Sequence, residues 1–160
     1  MHPNAELVTR FYAAFAQRNA AGMHACYHRD VHFSDPVFPD LRGDNVRAMW
    51  DMLCTRGKDL TLTCSDVNAD DVRGSARWVA RYTFSATGRH ITNHIAAEFT
   101  FRDGLIVRHR DQFSLYGWAR QALGLTGLLL GWSRMVQSRV RTQAAASLRA
   151  WRARETAVPH

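Results

Sequence analysis

Cysteine is scarce in this chain. Cys26, Cys54 and Cys64 are the only three. Their odd number and the lack of CxxC spacing exclude a disulfide framework and a cysteine zinc site, and they read as buried thiols of a reducing compartment. Lysine is scarcer still: of 21 basic residues 20 are arginine, and Lys58 stands alone. No run approaches the ~20 apolar residues that a membrane span requires. The start, MHPNAELV, turns polar and helical within a few residues, so no signal peptide is expected and the expected compartment is the cytoplasm. Phosphate loop, GxSxG elbow and dinucleotide fingerprint are all missing, as are repeats and an interdomain linker. No cofactor is expected.

The charge that is present lies unevenly. Residues 112–160 hold seven Arg and a single acid, Glu155, whereas residues 1–111 hold 14 basic and 13 acidic residues. The net charge of +7 therefore belongs to the C-terminal segment, and a nucleic-acid partner is not expected of the domain as a whole. With 160 residues, 46% of them hydrophobic, the chain is large enough for one domain with a real core.

The first third reads as helices. Asn4 suits an N-cap with Glu6 in the first turn, and Leu7, Phe11, Ala14 and Phe15 follow helical spacing. A second short helix is expected over 20–28. A third opens at Gly43-Asp44, with Val46, Met49, Trp50, Leu53 and Cys54 on one stripe and Gly57 as its C-cap. From residue 60 the period becomes two. Leu60–Cys64, Trp78–Phe84, Ile95–Phe101 and Leu105–Leu115 read as strands half-buried on one face, joined by turns at Thr87-Gly88-Arg89 and Arg102-Asp103-Gly104. Helices followed by a meander indicate an α+β fold. After the apolar stretch GLTGLLLGW, residues Trp132, Val136, Val140, Ala144, Leu148 and Trp151 mark an amphipathic basic helix ending near Ala153.

Two places break the binary pattern. In VHFSDPVF, read as a strand, Asp35 falls in phase with Val31 and Phe33. In the last strand His109 and Asp111 share the apolar phase. Charged side chains on an apolar face are costly unless paired, and such violations gather at functional sites. Two carboxylates and an imidazole in an aromatic cavity can do acid/base chemistry, with burial raising the carboxylate pKa. The structural alternatives stay open. Asp35 precedes Pro36 and can end the strand in an Asp-Pro turn capped by backbone N–H groups. His109 and Asp111 can pair with each other, with an Arg, or at a subunit interface. His24 and His28 have helical i, i+4 spacing but no third ligand, so no metal site is assigned.

The segments VTRFYAAFAQRNAAGMHACYHRDVHFSDPVF, DNVRAMWDML and AAEFTFRDGLIVRHRDQFSLYG resemble the NTF2-like superfamily over roughly residues 5–118. That superfamily includes ketosteroid isomerases, SnoaL-like polyketide cyclases and limonene epoxide hydrolases. The resemblance implies a cone-like curved antiparallel sheet with three N-terminal helices on its concave side. It divides the chain into a domain at 1–118 and a C-terminal helical extension at 119–160. It also implies a hydrophobic pocket lined by Phe11, Phe15, Phe33, Trp50, Trp78, Tyr82, Ala97, Phe99 and Phe113, with Asp35, Asp111 and His109 as its catalytic candidates.

Asp35 matches the proton-shuttling base of ketosteroid isomerases. Their oxyanion donors, however, would fall at Phe11 and Ala97, with Tyr12 one residue off phase. Asp111 matches one Asp of the epoxide hydrolases' Asp-Arg-Asp set, whose other members fall at Trp78 and Ala80. Asp111 also matches an acid/base Asp of SnoaL-like cyclases. An apolar small-molecule ligand and a homodimer are the expected partners. The expected function is an acid/base isomerase, cyclase or hydrolase, with a non-catalytic binding module as the alternative. The extension packs on its own domain or a dimer mate, covers the pocket with Leu128 to Leu130, or lies on an anionic membrane surface.

Overall fold

The structure is a computed structural model and describes residues 1–157. Its elements in chain order are α1 (Pro3–Ala16), α2 (Ala20–His24), β1 (Tyr27–Ser34), β2 (Leu41–Arg42), α3 (Asp44–Arg56), β3 (Thr61–Ala69), β4 (Arg73–Phe84), β5 (Arg89–Arg102), β6 (Leu105–Gln112), α4 (Leu115–Leu123), α5 (Leu125–Leu130) and α6 (Arg134–Ala157). One six-stranded sheet runs in the order β2-β1-β6-β5-β4-β3. Its strands pair antiparallel except β1 with β6, which are parallel.

Local chemistry sets most boundaries. Helix α1 starts at Pro3, whose fixed φ suits the first helical turn, and its cap is His2, whose Nδ1 accepts the Asn4 N–H at 3.0 Å. Asn4, expected to be the cap, lies inside the helix, and its Nδ2 donates to the Asp70 carbonyl at 3.0 Å. Asp103 and Gly104 have φ of 56° and 73°, the left-handed pair that a tight β5–β6 hairpin needs. Gly43 caps α3 and Gly57 ends it, as their positions in the sequence suggest.

Several expected boundaries change. Helix α2 stops at His24, and β1 begins at Tyr27, four residues earlier than the alternation indicates. A register irregularity between Tyr27 and His32 hides the strand's first half by turning Arg29 and Asp30 outward. His28 is therefore a strand residue, so the helical pairing of His24 with His28 does not exist. His24 instead meets Asp51 at 2.8 Å. Strand β1 ends at Ser34, which leaves Asp35 outside the sheet, and β6 ends at Gln112, so that Leu115 opens α4.

The core lies between the sheet and helices α1 and α3. Phe11, Phe33, Met49 and Ile106 are fully enclosed, and Phe15, Trp50, Trp78, Ala97 and Phe99 nearly so. Strand β6 contributes His109 and Asp111 to this interior at 0% and 3% exposure. Helix α6 runs back along the domain. Leu148 joins the core, Arg152 donates to Asn45 at 2.6 Å, and the Arg56 guanidinium lies over the Trp151 ring. Helix α4 is fastened across the β4–β5 hairpin. Thr87 and Arg89 donate to the carbonyls of Ala122 and Gln121, while the Thr92 N–H donates to the Gln121 side chain.

Candidate functional site

The parallel pairing of first and last strands assembles the candidate site. Phe33 lies opposite His109 and Ser34 opposite Arg110. Asp35, one residue further on, therefore leaves the sheet at the level of Asp111. Residues 76 positions apart in sequence are neighbours because β6 returns between β1 and β5.

Inside, five side chains form one hydrogen-bonded line. The Trp50 indole N–H donates to the Tyr27 phenol oxygen at 2.8 Å, and the Tyr27 oxygen is 2.8 Å from His109 Nδ1. His109 Nε2 is 2.9 Å from Asp111 Oδ1, and the Trp78 indole N–H reaches the same oxygen at 3.4 Å. For a neutral imidazole beside an ionised carboxylate, donor and acceptor counting gives one consistent set of proton positions. An indole only donates, so the phenol oxygen accepts from Trp50 and spends its own proton on Nδ1. The other ring nitrogen, Nε2, then carries hydrogen and donates to the carboxylate. Asp111 is thus held at Oδ1 by two N–H groups, and Oδ2 makes no hydrogen bond among the described residues.

The imidazole is also fixed by packing. The Phe99 ring lies 4.6 Å from it, Phe33 and Phe11 meet it edge-on at 5.0 and 5.5 Å, and Trp50 stacks at 6.2 Å. Phe15 bridges Trp50 and Trp78 at 5.0 and 5.4 Å. Phe11, Phe15, Phe33, Trp50, Trp78 and Phe99, expected to line a pocket, therefore pack against one another and around His109, whereas Tyr82 and Phe113 are half-buried.

Tyr12 completes this interior. It is 2% exposed and its hydroxyl has no hydrogen-bond partner, an arrangement that costs about 1–3 kcal/mol in a folded chain. Burial first, and then the charge of Asp111, hold its phenol well above the ordinary value, so it keeps its proton. The off-phase tyrosine of α1 therefore enters the same core as Phe11, the two rings meeting edge-on at 5.1 Å.

Asp35 combines both readings open to it. It caps its own turn: Oδ1 accepts the N–H groups of Val37 and Phe38 at 2.7 and 2.6 Å, the Asx geometry expected before a proline. Desolvation nonetheless outweighs those bonds, and with the charge of Asp111 it raises the carboxyl to about 7. Its charge also reaches the half-buried Tyr82, whose oxygen accepts the Trp118 indole N–H at 2.8 Å. Trp118 and Leu115 of α4, with Phe113 and Val37, form a second apolar cluster on this side. Leu128 to Leu130, considered as a cover, face outward at 48, 59 and 47% exposure.

The sequence pattern missed Tyr27, concealed by the irregularity in β1, and Trp118, concealed by the early end of β6. His32 and His94 stay outside this interior; His32 meets Asp40 at 2.7 Å. Among the described residues no cluster of three or more His, Cys, Asp or Glu has metal-binding geometry. No helix among them is long and apolar enough to cross a membrane.

A family model described as the SnoaL-like domain matches residues 8–109. An NTF2-like protein of unknown function from Burkholderia pseudomallei is 23% identical with a TM-score of 0.68, over 76% of this chain and 98% of that one. TerC, co-crystallised with polyporic acid, is 19% identical with a TM-score of 0.65, over 77% and 100%. An LEH-like epoxide hydrolase from Mycobacterium tuberculosis is 17% identical with a TM-score of 0.62, over 80% and 96%. At these identities the likeness shows the fold. No curated protein matches the chain.

Proposed function

The chain belongs to the SnoaL-like domain family, and on that premise we propose a cofactor-free acid/base enzyme acting on an apolar small molecule. The observation that carries this reading is the two-sided hold on Asp111. His109 and Trp78 fix one carboxylate oxygen in an aromatic interior and leave the other unbonded. An oriented carboxylate in such surroundings suits a general base. Asp111 would take a proton from a carbon beside a carbonyl, or from water, and return it to the product, so no external acceptor is needed. His109 and Tyr27 act as positioning residues. The Tyr12 hydroxyl would donate to a substrate oxygen, supplying a donor that Phe11 and Ala97 cannot. Asp35, near 7, would give or take a proton at neutral pH. Isomerisation, cyclisation and epoxide opening all fit this set. Access would require α4 to shift, carrying Trp118 off Tyr82.

One observation favours the second reading, a non-catalytic module that binds an apolar ligand. Every ring nitrogen and hydroxyl of Tyr27 and His109 is already paired within the chain, as in a core network kept for specificity.

The test uses Asp111→Asn, because the amide oxygen can accept both N–H groups and preserve the fold. Wild type and variant are incubated with a panel of aromatic epoxides and polyketone esters, and products are read by mass spectrometry. Conversion by wild type that falls at least about a hundredfold in the variant, with unchanged circular dichroism, is the expected outcome. Equal conversion by both would remove Asp111 from the chemistry, and a co-purified ligand returned chemically unaltered with no conversion would leave the binding module.

A further inference from the structure

Six of the nine large apolar side chains exposed among the described residues fall within residues 125–135: Leu125, Leu128, Leu129, Leu130, Trp132 and Met135, at 47–70% exposure. Packing dictates this orientation. Helix α5 presents Gly127 to α4, so close that a Cβ there would run into the Ala119 carbonyl, and a Cβ on Gly131 would meet the Gly127 carbonyl first and then the Ala119 side chain. The smallest residues of the segment face the protein and the largest face outward, the reverse of the usual amphipathic order. Rotating the leucines inward would drive them into the α4 backbone. The polar atoms at this tip are satisfied locally. The Trp132 indole N–H donates to the Leu129 carbonyl at 2.9 Å and the Tyr116 hydroxyl to the Leu128 carbonyl at 3.2 Å.

The charge carried by this part of the chain has one sign. Arg120, Arg134 and Arg139 are exposed, and no Asp or Glu occurs between Gln112 and Arg154. A symmetric contact with a second copy would set these arginines against themselves with no acid of the patch to pair them. An anionic lipid surface offers the complement: acyl chains for the leucines, an interfacial region for Trp132 and Tyr116, and negative headgroups for the arginines.

We propose that the α5 tip is a monotopic docking site for anionic phospholipid bilayers. This stands apart from any chemistry at Asp111.

The full chain is sedimented with phosphatidylcholine vesicles and with vesicles of phosphatidylcholine mixed with phosphatidylglycerol. Binding is expected to the mixed vesicles alone and to weaken with added salt. Leu129→Asp should abolish it, whereas Val72→Asp, at an exposed apolar site in the β3–β4 connection, should leave it unchanged. Arg134→Ala and Arg139→Ala, both exposed and away from the core, should each weaken it about fivefold. They decide the matter if Leu129→Asp fails to fold. No binding to the mixed vesicles, or binding indifferent to both arginines, overturns the proposal. A concentration-dependent oligomer dissolved by Leu129→Asp, without vesicle binding, also overturns it and makes the tip a self-contact.

Discussion

Asp35 illustrates how a single residue can serve its turn and still be unsettled by it. Two backbone N–H groups favour its carboxylate, yet burial wins and moves the group from its ordinary value near 3.8 to about 7. Between those values the folded chain binds a proton that the unfolded chain does not. The contribution of Asp35 to stability is therefore complete below about pH 4 and lost as pH rises through about 7. Asp35→Asn keeps the accepting oxygen and removes the half-buried charge. Urea unfolding should then favour the variant over wild type at pH 8 by about 1 kcal/mol or more relative to the same comparison at pH 5. A difference independent of pH would mean that the carboxyl is ionised throughout.

At the scale of elements, α6 is held by the enclosed Leu148, by the half-buried Val140, Ala144 and Trp151, and by arginine contacts at the surface. Arg141 donates to the Pro36 carbonyl at 2.9 Å, beside the Asp35 turn, and Arg152 to Asn45. Exposed polar contacts of this kind contribute little, whereas deleting a buried leucine costs several kcal/mol. Leu148→Ala should lower the unfolding free energy by about 2–4 kcal/mol, while Arg149→Ala, at an exposed neighbouring position, should change it by less than about 0.5 kcal/mol. Equal effects in chemical denaturation would show that α6 is not fastened through its apolar stripe.

For the whole molecule, the sheet order decides where stability concentrates. Strands β5 and β6 are paired on both sides and carry the residues that meet in the core, whereas β2 and β3 are edges. Local opening follows such differences in contact. Amide exchange read by mass spectrometry should be slowest in β5 and β6 and fastest in β2, the outer side of β3 and α5. Early exchange in β6 would remove the support that the His109–Asp111 arrangement needs.

The α+β class, the three N-terminal helices, the long strands and their turns were legible because they rest on periodicity and local backbone preference. Ile95, Ala97, Phe99 and Phe101 alternate as a half-buried strand must, and Asp103-Gly104 can hardly be anything but a turn. The polar residues in apolar phase were also visible, and His109 and Asp111 do lie inside. What they touch was decided only in three dimensions. Tyr27 reaches His109 across 82 residues of chain because β1 lies parallel to β6, and no local signal encodes that pairing. Tyr12 and Asp35 both hold their protons more tightly through burial, which depends on neighbours rather than on residue type. The outward leucines of α5 have the same origin. Their sequence only makes them apolar; the close approach of Gly127 to Ala119 decides that they face out, because a glycine on the inner side leaves no room there for anything larger.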